Sequence, residues 1–156
     1  MTDRHLRAAI TGLAIAGLAI AAYLTWVHYA GVKPICSGIS DCERVQTSSY
    51  AKLAGLPVAL IGLAGYAAIL ASLSVRGEAG RVATAFLAFV GLGFSGYLTW
   101  AELFRIQAIC QWCVASAVVM TLIAVLAMVR ALRDPVTAPA SRAPAPRPMR
   151  ARAPQS

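Results

Sequence analysis

Apolar residues fall into four blocks along the chain, at about 8–29, 56–73, 82–104 and 109–132, with short polar segments between them. Crossing a hydrocarbon core of ~30 Å takes roughly 20 helical residues. Three blocks reach that length outright. The second is near the lower limit, but few charges interrupt it and an amphipathic segment leads into it. The pattern predicts four transmembrane helices. The first outer loop, 32–55, carries the polar run Gln46-Thr47-Ser48-Ser49. A helix turn capped by Ser48 or Ser49 would put Tyr50, Leu53 and Leu56 on one apolar face. That predicts an interfacial half-helix lying as a lid over the bundle. Pro57 suits the first turn of the second helix. The link at 102–107 is short, so the third and fourth helices pack antiparallel.

Composition supports this pattern. The chain is only 13% charged, against about 25% for a soluble domain. The fold class is therefore all-α integral membrane: a four-transmembrane-helix bundle at 8–132. It is flanked by a basic cytoplasmic leader, 1–7, and a Pro/Ala/Arg-rich tail, 133–156. The tail is too poor in apolar residues to form a core and is expected to be disordered. A cleaved signal peptide is the other reading of the first block. The block runs long for one, and its repeat partner, described below, is an internal helix.

Charge sets orientation. Four spans put both termini and the second loop on one side. That side holds ten of the fourteen Lys and Arg residues, among them Arg4, Arg7, Arg76, Arg81, Arg130 and Arg133. The other side holds Lys33, Arg44, Lys52 and Arg105. Positive charge favours the cytoplasm, so the termini are expected inside. The net charge of +8 is thus topology and tail. It gives no sign of nucleic-acid binding, because the arginines do not interleave with aromatics.

The chain repeats itself. Tyr23-Leu24-Thr25-Trp26 recurs 74 residues later as Tyr97-Leu98-Thr99-Trp100, and Ile35-Cys36 recurs at the same offset as Ile109-Cys110. Each half carries an apolar helix, a Tyr-Leu-Thr-Trp end, a short link and a cysteine. The pattern reads as a duplication.

All four cysteines, Cys36, Cys42, Cys110 and Cys113, fall on the expected outer side. Disulfides persist there and not in the cytosol. Cys110-Gln-Trp-Cys113 opens the last apolar block. Its first thiol sits near a helix N-terminus, where the dipole and free N–H groups favour a thiolate. Zinc is disfavoured because no second close pair or nearby histidine completes a ligand set. A c-type haem needs His after the second cysteine, and Val114 is there. A purely structural disulfide gains little from so tight a ring. His28 reads as an interfacial residue, and Trp112 as one that packs at the interface. No P-loop, Rossmann glycine pattern or nucleophile elbow is present. One cysteine pair in an outer loop and one at the head of a helix make a relay for thiol–disulfide exchange. It would run from a water-soluble dithiol to a lipid-soluble acceptor, for which a quinone is the natural choice. The alternative is a small tetraspan transporter or scaffold with structural disulfides. Spans with almost no charge argue against a transporter.

The run Cys36…Cys42-Glu43-Arg44-Val45…Ser48-Ser49-Tyr50-Ala51…Gly55-Leu56-Pro57…Gly62…Tyr66, followed by Cys110-Gln-Trp-Cys113, resembles the bacterial branch of the vitamin K epoxide reductase family over about 8–132. The resemblance implies a four-helix bundle around a quinone, menaquinone or ubiquinone, in a bacterial inner membrane. It implies oxidation of a thioredoxin-fold partner and disulfide formation outside the cytoplasm, with no metal. By resemblance, Cys36 and Cys42 are the shuttle pair and Cys42 exchanges with Cys110. Cys113 reacts with the quinone, Cys110 resolves it, and Ser48 lies near the quinone pocket. Val58 and Ala117 stand about where the vertebrate branch has Asn and Tyr, which favours quinone reduction over epoxide reduction. Some bacterial members carry a fused thioredoxin-like domain; here the sequence ends in the tail, so a separate partner is expected. Another family of disulfide-generating membrane proteins is similar in function but has the two cysteine pairs in the opposite order.

Overall fold

A computed structural model describes residues 3–36, 41–53 and 55–133. Four helices carry the fold: α1 (Asp3–Ala30), α3 (Val58–Ser74), α4 (Glu78–Ala101) and α5 (Gln111–Arg133). A short helix, α2 (Cys42–Thr47), lies in the first long loop. α1 packs on α3 and α5, and α4 packs on α3 and α5, so the four close into a ring. Three helical segments are long and apolar enough to cross a membrane: α1, α4 with its extension to Ile106, and α5. α3 is equally apolar but shorter at 17 residues, a rise of about 26 Å.

α1 begins at Asp3, so the basic leader is largely the first turn of a helix and not a separate segment. Its charges are used. Arg130 of α5 is buried and its Nε lies 2.6 Å from Asp3 Oδ1. Arg7 donates to the Leu73 carbonyl, 2.6 Å away. These bonds tie α1, α3 and α5 together at one end of the bundle, and the cysteines lie at the other. The expected disordered tail lies outside the described residues, save Arg133.

The core runs down the ring axis through Ile10, Ala14, Tyr66, Ile69, Met120 and Ile123. Tyr66 is 1% exposed, and its hydroxyl donates to the Ser116 carbonyl at 3.0 Å. A Cβ on Gly17 would fall inside the Tyr66 ring, so α1 can approach α3 only because this residue is glycine. Gly17→Ala is expected to destabilise the bundle by ~1–3 kcal/mol through overpacking. The test is the unfolding midpoint in detergent, and an unchanged midpoint would show that the ring yields.

The two Tyr-Leu-Thr-Trp copies adopt matching local geometry. Thr25 donates back to Ala21 and Thr99 to Ser95, at 2.7 and 2.9 Å. Tyr23 and Trp26 lie 6.4 Å apart by ring centroid, and Tyr97 and Trp100 6.2 Å. The ends of α1 and α4 are therefore alike in local structure as well as in sequence.

Among the described residues the first loop carries no α-helix where the half-helix is expected. The loop helix starts at Cys42, not at Ser48 or Ser49. Asp41 caps it by accepting from the Arg44 N–H at 3.2 Å. Ser48 ends it instead, donating its hydroxyl back to the Val45 carbonyl at 2.7 Å. Ser49–Ala51 form a single 3-10 turn. Lys52–Leu53 then pair antiparallel with Leu56–Pro57. Gly55, at φ 86°, takes the left-handed turn conformation that hairpin needs. Tyr50, Leu53 and Leu56 thus share no helix face.

Candidate redox site

Two links carry the cysteines. After α1 the chain runs through Gly31 to Ile35 and Cys36. The Ile35 N–H donates to the Tyr23 hydroxyl at 2.9 Å. Its carbonyl accepts from Trp112 Nε1 at 2.8 Å and Gln111 Nε2 at 3.3 Å. Trp112 also packs on Tyr23, centroid to centroid 5.0 Å. Trp112 is therefore more than an interfacial residue: it clasps the strand that holds Cys36. Cys36 and Cys42 are joined as a disulfide with a Cα–Cα distance of 6.4 Å.

The second link shows how Cys110 is placed. α4 continues into a π-type turn, Glu102–Ile106, and ends at Gln107 with φ 53°. Wide turns of this kind often mark functional positions. The Glu102 carbonyl accepts from the N–H of Gln107 and, at 3.2 Å, from that of Ala108. Its carboxylate Oε2 accepts the Cys110 N–H at 3.2 Å. One residue thus holds both ends of the turn that delivers Cys110 to the head of α5.

The links meet. The Asp41 N–H donates to the Ile109 carbonyl at 3.0 Å, tying the residue before Cys42 to the residue before Cys110. Cys42 and Cys110, 1% and 0% exposed, share one buried cluster with Val45, Ile106 and Ala108. Cys36, Trp112 and Cys113 pack against it. Cys110 and Cys113 are free thiols. A hydrogen bond from the Cys113 thiol holds the Cys110 thiol below its ordinary pKa. Burial opposes this, the Cys113 and Trp112 amides at the head of α5 reinforce it, and the Glu102 carboxylate opposes it. Of the two sulfurs, Cys110 is the one whose surroundings ease its ionisation.

Below the cysteines a cavity of about 140 Å³ opens inside the ring. A dry cavity of about 150 Å³ holds a benzene-sized ring. Most of the wall is apolar, from residues such as Leu24, Gly62 and Phe94. Cys113, Ser48 and Glu102 also line it, as do Val58 and Ala117. The chain thus brings all four expected cysteines to one end, and Ser48 to the cavity that Cys113 borders. Among the described residues no group of three or more His, Cys, Asp or Glu gathers as a metal site. Sequence reasoning missed Glu102, which it read as part of a link. The available signal was an acidic residue directly following an apolar run and eight positions before Cys110.

A disulfide and a dithiol packed together beside an apolar cavity, in a ring of apolar helices, define a membrane-embedded thiol–disulfide oxidoreductase. The chain belongs to the vitamin K epoxide reductase family, whose model matches residues 8–128. That match covers all four cysteines, Ser48 and Glu102. No individually curated protein matches the chain.

Proposed function

We propose that the protein oxidises a separate thioredoxin-fold partner outside the cytoplasm and passes the electrons to a bilayer quinone. In this reading the chain spans a bacterial inner membrane four times, with both termini cytoplasmic and the cysteines outside. α3 is the fourth span, short enough to need local thinning or the hairpin at its head. The observation that carries the reading is the buried cluster joining Cys36–Cys42 to Cys110 and Cys113 at the cavity mouth.

A partner thiolate attacks the Cys36–Cys42 disulfide, and the partner's second thiol resolves the mixed disulfide. Cys36 and Cys42 are left reduced and the partner oxidised. Cys42 then attacks Cys110 of an oxidised Cys110–Cys113 pair, freeing Cys113, and Cys36 releases Cys110 by re-forming the loop disulfide. The pattern of one loop disulfide and two helix thiols is the state that faces the quinone. Closing Cys110–Cys113 again releases two electrons to it. Ser48 borders the ring site. Val58 and Ala117 offer the ring no hydrogen bond, which favours quinone over epoxide.

The test is anaerobic. Purified protein is mixed with a dithiol and a soluble ubiquinone or menaquinone analogue, and hydroquinone is followed by absorbance. Turnover is expected with the native protein and none after its thiols are blocked by maleimide. No turnover with either quinone class would move the transporter or scaffold reading ahead.

A further inference from the structure

We propose that Glu102 is the proton acceptor for Cys113 and hands that proton to the quinone. This rests on the quinone reading above. Glu102 is 5% exposed, in a chain whose helices carry few charges. Among the described residues no lysine or arginine pairs with it. A buried carboxylate without a cation is costly, and one at membrane depth points to a function. Its backbone carbonyl already anchors the 107–108 turn. One carboxylate oxygen takes the Cys110 N–H. The residue also lines the cavity together with Cys113. It is therefore bonded to the backbone of one cysteine of the pair, shares the cavity wall with the other, and opens on the site where the ring would lie.

The chemistry needs such a group. Reducing a quinone to a hydroquinone takes two electrons and two protons. The pair enters with Cys110 as thiolate and Cys113 as thiol. As the S–S bond forms, the Cys113 S–H bond breaks and its proton moves to the Glu102 carboxylate. Two electrons leave the sulfurs and pass to the quinone. Glu102 then gives its proton to one quinone oxygen, and water supplies the other. Charge and atoms balance: thiolate, thiol, quinone and one proton become disulfide and hydroquinone. Glu102 ends as it began, ready for the next turnover. Bulk water reaches this buried site poorly, so a resident base is the shorter route for the first proton.

The experiment isolates the quinone step. All four cysteines are reduced with excess dithiol, the dithiol is removed, and oxidation by a soluble quinone is followed in a single turnover from pH 6 to 9. Wild type, Glu102→Gln and Glu102→Asp are compared. Gln keeps an oxygen for the Cys110 N–H but cannot take a proton. Glu102→Gln is expected to slow oxidation by roughly 10²-fold near pH 7, with the deficit shrinking as pH rises and hydroxide takes over. Glu102→Asp is expected to recover most of the rate, with its pH profile displaced to lower pH because an Asp carboxyl is intrinsically more acidic than a Glu carboxyl. The idea is overturned if Glu102→Gln matches wild type in rate and profile. It is equally overturned if the deficit is the same at every pH and Asp does no better than Gln, which is the signature of a structural staple. If wild type itself is not oxidised by quinone, the quinone reading fails, and this proposal with it. Should Glu102→Gln misfold, shown by loss of its monodisperse elution, the Asp variant's pH profile alone decides. A profile shifted from wild type supports proton transfer at this position, and an unshifted profile at an altered rate refutes it.

Discussion

Cys113→Ser should abolish quinone reduction, by on the order of 10³-fold or more, as removal of a reacting nucleophile does. Cys113 is the thiol that lines the cavity, whereas Cys110 is fully buried behind it. A serine oxygen there can neither close a disulfide with Cys110 nor release two electrons. The loop pair should be spared, because Cys36 and Cys42 are bonded to each other and not to the helix pair. Two measurements separate these effects. Anaerobic hydroquinone formation should fall to background. Counting thiols by maleimide gel shift should still show a loop disulfide that a small dithiol opens. A variant retaining more than a tenth of the wild-type rate would remove Cys113 from the chemistry and leave its place to Cys110. Loss of the loop disulfide as well would point to a folding defect.

The helices were legible because the hydropathic blocks are long and the charges between them few. The cysteine chemistry was legible from spacing, since Cys-x-x-Cys at the head of an apolar run has few other uses. Local capping was harder to read. Asp41 and Ser48 are both good helix starters, and the loop offers either one. The choice falls to Asp41 because its backbone N–H is already bonded to Ile109 across the bundle. That contact joins residues far apart in the chain, and no local pattern carries it. The same holds for the Trp112–Ile35 clasp. Glu102 escaped for another reason. In the sequence it sits at the boundary of an apolar block, where a charge is ordinary. Only the π-type turn rotates it inward to meet the Cys110 N–H. A position-by-position reading leaves the residue in a short link, and the backbone geometry places it beside the cysteine pair.

The double variant Cys36→Ser/Cys113→Ser should accumulate a Cys42–Cys110 disulfide. These residues lie 68 positions apart in the chain, yet in the proposed relay exchange between the pairs passes through this bond. With Cys36 gone, Cys42 has no loop partner. With Cys113 gone, Cys110 has no helix partner. The Asp41–Ile109 hydrogen bond, at 3.0 Å, fixes the two preceding residues side by side, and both sulfur-bearing residues belong to one buried cluster. A disulfide tolerates only a narrow range of Cα separations, about 4.4–6.8 Å, so bond formation is itself a distance test. Mild oxidation should yield the cross-link nearly to completion, seen as a fast-migrating band on a non-reducing gel and as a linked peptide by mass spectrometry. The control, Cys42→Ser/Cys113→Ser, leaves Cys36 and Cys110. It should cross-link far less, because the Trp112 and Tyr23 bonds to Ile35 hold Cys36 on the outer side of the cluster. Equal cross-linking in both would mean that the loop moves enough for either sulfur to reach Cys110, and the order of transfer would then be set by thiol reactivity. No cross-link in either would separate the two pairs. Electrons from the partner would then have to reach Cys110 without the loop, and the clasp built around Cys36 would have no part in the transfer.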